Sequence, residues 1–264
     1  MRANIDRFSG FADCYDDVRP QPPDSVIDLL TQLAQMDRLR LVVDIGSGTG
    51  LSTRIWAGRA DQVIGIEPNA DMRAEAESRT TDAGNIRYRE GVSTATGLPD
   101  GCADIVTCVQ SLHWMEPEPT FAEIARILRP GGVFAGVDCD WPPLMHWELD
   151  AAYTACSERV KSLEKQTGLY DTLRSWTKPE HLQRIGESGQ FRYAKEVALH
   201  QVDSGNADRF IGVKLSQGGV RGLMARGVSQ EEMGIDKLRE VATRVLGDRT
   251  MPWYYTYRIR FGIK

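Results

Sequence analysis

Residues 42–50 read VVDIGSGTG, and this stretch decides the fold of the chain. The apolar, partly β-branched residues 41–45 are typical of a strand that a parallel sheet buries on both faces. Three glycines at alternate positions follow, and glycine is required where φ is positive or where a ligand approaches too closely for a Cβ. The segment 51–57 can then begin a helix. This order of strand, glycine turn and helix predicts a βα junction that binds a nucleoside-bearing cofactor.

The remainder of the chain continues the alternation of strands and helices. The predicted strands are 41–45, 62–66, 86–89, 104–109, 133–137, 191–201 and 253–263, and the predicted helices are about 51–59, 69–79, 119–128, 206–216 and 229–246. Such alternation predicts an α/β fold in which helices cover both faces of a parallel sheet. A further helix opens at 22–25, and a turn at 129–132 precedes the fifth strand. After Asp140 the rhythm changes, and a long amphipathic segment indicates a helical cap.

Size and charge exclude several classes of function. The chain has 264 residues, 41% of them hydrophobic, which suits one large α/β domain with an insertion. Its formal net charge is −5 and it has no block of basic residues, which disfavours nucleic acid as a partner. No apolar run reaches membrane-spanning length, and the N-terminus has no signal-peptide pattern. We therefore expect a cytoplasmic protein that does not bind a membrane, and both a monomer and a homo-oligomer stay open.

Cysteine and histidine give little indication of a metal. The five cysteines are odd in number and include no C-x-x-C pair, so neither a disulfide framework nor a zinc knuckle is predicted. The four histidines lack the spacing that seats a metal on one helix face. No metal site is expected, although the run Asp138-Cys139-Asp140 leaves one open.

The glycine loop distinguishes between two nucleoside cofactors. A dinucleotide fingerprint needs G-x-G-x-x-G, whereas Leu51 occupies the sixth position here, which weakens a nicotinamide cofactor. The next strand ends at Glu67, about twenty residues further on, where a carboxylate can receive both hydroxyls of a ribose. The alternative for Glu67 is an N-cap of the following helix. Together with the glycine loop, the ribose contact is the favoured interpretation.

Four motifs resemble those of class I S-adenosylmethionine-dependent methyltransferases of the small-molecule type. They occur in the family's order and spacing, and they are VVDIGSGTG at 42–50, Ile66-Glu67-Pro68, Gly97-Leu98-Pro99 and Leu128-Arg129-Pro130-Gly131-Gly132. The resemblance implies a doubly wound, Rossmann-like sheet of seven mostly parallel strands with an antiparallel last strand, an N-terminal cover helix and a helical cap. It also implies S-adenosyl-L-methionine as cofactor, S-adenosyl-L-homocysteine as product and a small-molecule methyl acceptor.

The same resemblance divides the chain as a single domain, 1–264. Its parts are N-terminal cover helices at 1–40, a cofactor-binding core at 41–140, a helical cap at 141–190 and C-terminal strands and helices at 191–264 that complete the sheet.

The cofactor residues are carried over from the family's motifs. The resemblance places Asp44, Gly46, Ser47 and Gly48 around the methionine moiety, Glu67 on the ribose and Pro68 beside the adenine. The family's acidic adenine turn is replaced here by Ser93-Thr94, so a hydroxyl or main-chain contact must serve instead. The full set of implied cofactor residues is Tyr15, Arg19, Asp44, Gly46, Ser47, Gly48, Gly50, Glu67, Pro68, Ser93, Thr94 and Gln110. Tyr15 and Arg19 would close over the methionine carboxylate, and packing of an apolar helix is the alternative for that N-terminal segment.

Candidates for catalysis lie just beyond the fourth and fifth strands. A methyl transfer needs an acceptor held in line and, for some acceptors, a base, and histidine ionises near neutrality. His113 is the first candidate base and His146 the second, with a structural His113-Trp114 pair as the alternative. Trp141, Trp147 and Tyr170 are candidates for an aromatic acceptor pocket, with core packing as the alternative. Two other functions stay open, a nicotinamide-dependent oxidoreductase and a non-catalytic S-adenosylmethionine-binding module.

Overall fold

The computed structural model describes residues 16, 18–169, 171 and 173–264 and contains a seven-stranded sheet. Its strands are β1 (Leu39–Ile45), β2 (Ala60–Ile66), β3 (Ile86–Arg89), β4 (Ala103–Val109), β5 (Leu128–Cys139), β6 (Tyr193–Gly205) and β7 (Met251–Ile263). They are ordered β3-β2-β1-β4-β5-β7-β6. The strands from β3 to β5 pair in parallel, and β7 runs antiparallel to β5. The predicted doubly wound, mostly parallel sheet with an antiparallel last strand is confirmed.

Eight α-helices occur in the described part of the chain. They are α1 (Asp24–Ala34), α2 (Ala70–Ser78), α3 (Pro117–Ile127), α4 (Trp147–Gln166), α5 (His181–Glu187), α6 (Ala207–Leu215), α7 (Gly218–Ala225) and α8 (Ile235–Leu246). The helix predicted at 51–59 is wrong, because only a 3-10 turn, Arg54–Trp56, forms there. Ser52 and Thr53 use their hydroxyls to bind Asp44, and such side-chain bonds favour turns over helix. Helix α7 was not predicted, since it begins with two glycines, which are poor helix formers.

The start of β5 differs from the predicted turn and strand. Residues 128–139 form one strand. Its register with β4 shifts between the pairs Ala103↔Leu128 and Ile105↔Val133. The strand pairing with β4 is therefore interrupted at residues 129–132, where the side chain of Arg129 pairs instead with Asp104 at 2.8 Å. The turn predicted for these residues is an irregularity within the strand.

Burial of the sheet explains the unbroken apolar runs in its sequence. Val43, Val106 and Phe134 have no exposed surface, and Phe121 of α3 packs against this core. Each such side chain contributes roughly 1.5–3 kcal/mol when removed from water. A parallel strand that is covered on both faces has no position for an alternating polar residue.

The chain divides into two compact units. One comprises Gln21–Cys139, Ser175–Leu199 and Tyr257–Lys264, and it contains β1 to β5 with α1, α2, α3 and α5. The other comprises Asp140–Arg174, His200–Thr256 and the described residues up to Pro20, and it contains α4, α6, α7 and α8. The cap was expected at 141–190. The second of these two units, which contains α4, includes Asp140–Arg174 from that range and also the later segment His200–Thr256. The single domain with its four parts stays a prediction.

Two predicted features lie outside the described residues. The cover helix falls almost entirely on residues up to 15, and Tyr15 and Tyr170 are not described either. Within the part of the chain that the structure covers, no helix has both the length and the apolar character of a membrane span.

Candidate cofactor-binding site

The glycine loop after β1 is held against the end of β2 by its own backbone. The N–H groups of Gly46 and Ser47 both donate to the carbonyl of Ile66, at 2.8 and 3.2 Å. Gly46 has a φ of +72°, and a Cβ added there would lie 2.6 Å from the Cβ of Ser111. Gly46 is therefore required both by its backbone conformation and by the close approach of Ser111, the second residue after β4.

Asp44, near the end of β1, holds the glycine loop in place through hydrogen bonds. Its Oδ2 accepts hydrogen bonds from the hydroxyls of Ser52 and Thr53, both at 2.7 Å, and its Oδ1 accepts one from Thr107 at 2.9 Å. Burial raises the pKa of this fully enclosed carboxyl, and the three hydroxyl bonds oppose that shift. Asp44 thus connects the loop to β4, and its contact with a methionine moiety stays a prediction.

Glu67 meets the glycine loop from the end of β2. Its Oε2 accepts the N–H of Gly48 at 3.0 Å, and its Oε1 accepts the N–H of Asn69 at 2.9 Å. Burial raises the pKa of Glu67, opposed by these two bonds and by the positive charge of Arg73. The N-cap of α2 is Asn69, whose Oδ1 accepts the N–H of Met72, so the N-cap alternative for Glu67 is wrong. Each carboxylate oxygen still has a lone pair available for a hydroxyl.

The loop fits a polar ligand. The hydroxyl of Ser47 is buried and has no hydrogen-bond partner among the described residues. A buried hydroxyl without a partner costs free energy, so such a group in a loop indicates a missing ligand or water. A Cβ added at Gly48 would have no atom within 4 Å, which leaves space directly above the loop.

The turn after β3 contains the two residues predicted to face an adenine. Ser93 shares a 2.8 Å hydrogen bond with the hydroxyl of Thr120, and Val92 pairs with Ala95 across the turn. Thr94 and Pro68 are both half-buried. The Ser93 hydroxyl therefore has one protein partner already, and a main-chain contact to an adenine is the simpler of the two predicted possibilities.

The segment after β4 completes this edge of the sheet. Ser111 donates to the carbonyl of Ile45 at 2.8 Å, which fixes it beneath the glycine loop. Gln110 donates to the carbonyl of Cys139 at 3.3 Å and accepts from Lys178 at 2.6 Å. Sequence reasoning did not single out Lys178, which contacts the predicted cofactor residue Gln110. The sequence separation of 68 residues between Gln110 and Lys178 explains why no motif signalled the latter.

Comparison with known proteins agrees with this geometry. The family model described as "Methyltransferase domain" matches residues 43–136. The stretch includes the glycine loop, Glu67 and the end of β4. This part of the chain belongs to the class I S-adenosylmethionine-dependent methyltransferases.

Individual relatives cover the same region. A probable S-adenosylmethionine-dependent methyltransferase of Saccharomyces cerevisiae, CRG1, is 32% identical over 126 residues, which is 46% of this chain and 43% of the relative. The methyltransferase-like protein C25B8.10 of Schizosaccharomyces pombe is 30% identical over 119 residues, 45% of each chain. The chain spans about half the length of these curated relatives.

A solved structure shows the same fold over most of the chain. The YcgJ protein of Bacillus subtilis superposes with a TM-score of 0.57 at 17% identity, covering 92% of this chain and 99% of the other. This likeness confirms the predicted Rossmann-like fold. The predicted family and its cofactor, S-adenosylmethionine, are confirmed by the match of residues 43–136 to the methyltransferase model and by the similarity to CRG1.

His113 lies in the methyltransferase domain, on the 3-10 turn Leu112–Trp114 beyond β4. Its ring lies 4.6 Å from that of Trp114, and its carbonyl accepts the N–H of Trp176 at 2.9 Å. These contacts favour the alternative of a structural His-Trp pair. The role of His113 as a base stays a prediction.

The candidates His146, Trp147, Trp141 and Arg19 lie in the unit that contains α4. Each of them contacts other residues of the protein. His146 is the N-cap of α4, where its Nδ1 accepts the N–H of Glu148 at 3.2 Å. The neighbouring Trp147 stacks on it and is 73% exposed. The guanidinium of Arg19 lies 5.1 Å from the ring centroid of Trp141 and donates to Ser216 at 2.9 Å. The contacts of these residues with acceptor or cofactor stay predictions.

Proposed function

We propose that this protein transfers the methyl group of S-adenosylmethionine to a small-molecule acceptor on oxygen, nitrogen or carbon. The observation that carries the proposal is the hydrogen bond between Glu67 and the backbone of Gly48. This bond joins a carboxylate suited to a ribose to the glycine loop suited to the rest of the cofactor, which supports the proposal. The bound cofactor supplies an electrophilic methyl group on a sulfonium.

The chain's own residues would hold and orient both reactants. Glu67 accepts the two ribose hydroxyls with its remaining lone pairs, and Ser47 gives its unpartnered hydroxyl to the amino acid end. Gly46 and Gly48 keep the loop free of side chains where the cofactor approaches. These contacts fix the cofactor so that an acceptor can approach the methyl group in line, which is where orientation lowers the barrier.

His113 is the proposed base for acceptors that must lose a proton. It lies beyond the carboxyl end of β4, at the edge where open α/β sheets bind ligands. The net charge of −5 supports a small acceptor over a nucleic acid. Trp141, Trp147 and Tyr170 stay proposed acceptor residues, and His146 stays the second proposed base.

Binding and turnover together test the function. Isothermal titration with S-adenosylhomocysteine and, separately, with NADH measures cofactor choice, and we expect binding of the first alone. Incubation with methyl-labelled S-adenosylmethionine and sets of phenols, amines and carboxylic acids then measures transfer. Tight binding of NADH without S-adenosylhomocysteine would identify an oxidoreductase. Binding of S-adenosylhomocysteine without transfer to any acceptor would identify a non-catalytic module.

His113→Ala tests the proposed base once an acceptor is known. We expect kcat to fall about a hundredfold near neutral pH, with an unchanged affinity for S-adenosylhomocysteine, since a general base acts in the chemical step. The exposed His200 provides the control, and His200→Ala is expected to behave like wild type. Identical dependence of kcat on pH in His113→Ala and wild type would remove His113 from this role.

A further inference from the structure

Lys178 connects the ends of two neighbouring strands at the carboxyl edge of the sheet. It begins the 3-10 turn Lys178–Glu180, and its Nζ donates to Oε1 of Gln110 at 2.6 Å. The same Nζ pairs with Oδ1 of Asp138 at 2.9 Å. Gln110 directly follows β4, and Asp138 is close to the end of β5. Lys178 therefore spans the two strand ends, at the edge where sheets of this kind bind their ligands.

Gln110 has a backbone conformation that needs outside support. Its φ is +53°, and only one other non-glycine residue in the described ranges, Gln35, has a positive φ. Gln35 is the C-cap of α1, where the left-handed conformation is common. Gln110 does not end a helix. Three hydrogen bonds to distant residues hold it instead. Its backbone N–H donates to the carbonyl of Val137, its Nε2 donates to the carbonyl of Cys139, and its Oε1 accepts from Nζ of Lys178.

The conformation of Gln110 determines where the next residue lies. Ser111 donates to the carbonyl of Ile45, and its Cβ would be 2.6 Å from a Cβ at Gly46. Ser111 therefore packs directly against the loop assigned to the cofactor. A change in the φ of Gln110 would move Ser111 and with it the support of Gly46.

Asp138 does not depend on Lys178 alone for a positive partner. The other oxygen of Asp138 pairs with Arg260 at 2.9 Å, and Arg260 is also paired with Glu196 at 2.6 Å. Asp138 would keep a buried cationic partner if Lys178 were neutral. Gln110, in contrast, would lose the donor to its Oε1 in the part of the chain that the structure describes.

We propose that Lys178 is a positioning residue for the cofactor loop. It holds Gln110 in its left-handed conformation and, through Ser111, keeps the glycine loop in the shape that binds S-adenosylmethionine. The inference rests on the proposed function for the identity of the ligand. It assigns a role in that site to a residue of the segment 175–180, which lies outside the matched methyltransferase region.

A double-mutant cycle on the full chain tests this assignment without knowledge of the acceptor. The variants are Lys178→Met, Gln110→Ala and the double variant, and titration with S-adenosylhomocysteine measures Kd for each. We expect each single variant to weaken binding about tenfold. The double variant should also be weakened about tenfold, because Lys178 acts through Gln110 and coupled residues are not additive.

Arg184→Met is the matched control for general loosening of the turn. Arg184 donates to the carbonyl of Thr177 at 3.0 Å and pairs with Glu180, so it holds the same 3-10 turn. It makes no hydrogen bond or ion pair with Gln110 or Asp138, both of which lie in the described part of the chain. We expect its Kd to stay within about twofold of wild type. Thermal melting of each variant verifies that the measured Kd belongs to folded protein.

The outcomes separate this inference from the proposed function. Failure of the wild-type protein to bind S-adenosylhomocysteine would overturn the proposed function. Wild-type binding with an unchanged Kd in Lys178→Met would overturn the positioning role alone. Additive losses in the double variant, or an equal loss in Arg184→Met, would also overturn it.

Discussion

The carboxyl edge of the sheet has two halves that are built in different ways. At β1 and β2, the glycine loop and Glu67 meet through backbone N–H groups, and the residues involved lie between Asp44 and Asn69. At β4 and β5, charged and amide side chains meet from Gln110, Asp138, Lys178 and Arg260. The first half is a local arrangement of backbone, whereas the second depends on contacts between distant parts of the chain. The first half is therefore visible in the sequence as the glycine-loop motif. The second half has no sequence motif, because its residues are far apart in the chain.

The largest expected effect is in the first half, at Gly46. Gly46→Ala places a Cβ 2.6 Å from Ser111 at a φ of +72°, so the loop must move away from the position that fits the cofactor. We expect affinity for S-adenosylhomocysteine to fall by at least about a hundredfold, roughly 2.7 kcal/mol. Isothermal titration measures the affinity, and circular dichroism measures whether the fold is kept.

Gly97→Ala is the matched control for this substitution. Gly97 has a φ of +69° and no atom within 4 Å of an added Cβ, so it shares the backbone cost without the clash. We expect its affinity to equal that of wild type. An equal loss in both variants would show that backbone strain, and not the packing of Gly46 on Ser111, determines binding.

A smaller effect is expected at Glu67. Glu67→Ala removes the acceptor of two buried N–H groups and the proposed partner of the ribose. We expect about thirtyfold weaker binding of S-adenosylhomocysteine and a free energy of unfolding lower by about 2 kcal/mol. Titration and urea denaturation measure the two quantities.

Glu90 provides the comparison for Glu67. Its exposed carboxylate pairs with Arg73, so Glu90→Ala is expected to change the free energy of unfolding by less than about 0.5 kcal/mol. If Glu67→Ala kept wild-type affinity, the ribose assignment would be lost, although the loop could still bind a ligand.

The smallest expected effect concerns acid sensitivity in the second half. Burial lowers the pKa of His181 from 6.5 to about 4, with Asp138 opposing and nearby cations supporting the shift. Between these two values the unfolded chain binds a proton that the folded chain does not, so stability decreases as pH falls from 6.5 to about 4. At Asp44 and Glu67 the pKa is raised instead, so their contribution to stability falls as pH rises through their titration range.

His181→Gln should therefore flatten part of the acid response. We expect the decrease in free energy of unfolding between pH 6.5 and 4 to be smaller by about 1 kcal/mol than in wild type. Urea denaturation across this range measures it, with the exposed His200→Gln as control. An unchanged slope in His181→Gln would mean that His181 does not titrate differently in the folded protein.

The fold was largely predictable because its signals are local. The apolar runs gave six of the strand positions closely, and the glycine loop gave the βα junction at β1. The helix at 51–59 failed because Ser52 and Thr53 bind Asp44, a contact that no periodicity shows. Helix α7 was missed because two glycines conceal a helix that tertiary packing of Val220 and Leu223 stabilises.

The site was predictable only where backbone geometry requires a particular residue. Gly46 and Glu67 were found because a tight loop needs glycine and a ribose suits a carboxylate. Lys178 was not found, because lysines are common on surfaces and nothing in its neighbours indicates a partner 68 residues away. Asn69 could have been recognised, since asparagine directly before a run of good helix formers is a typical N-cap.

The hydrogen bonding of β5 has a consequence for where the protein can be shortened. The family match ends at residue 136, but β5 pairs with β7 from Val133↔Ile263 to Cys139↔Tyr257. A fragment that stops at the match boundary would leave one long side of β5 without hydrogen-bond partners, and such a bare apolar edge promotes self-association. Residues 257–263 thus cover this edge of the methyltransferase region, although they carry none of its recognisable motifs.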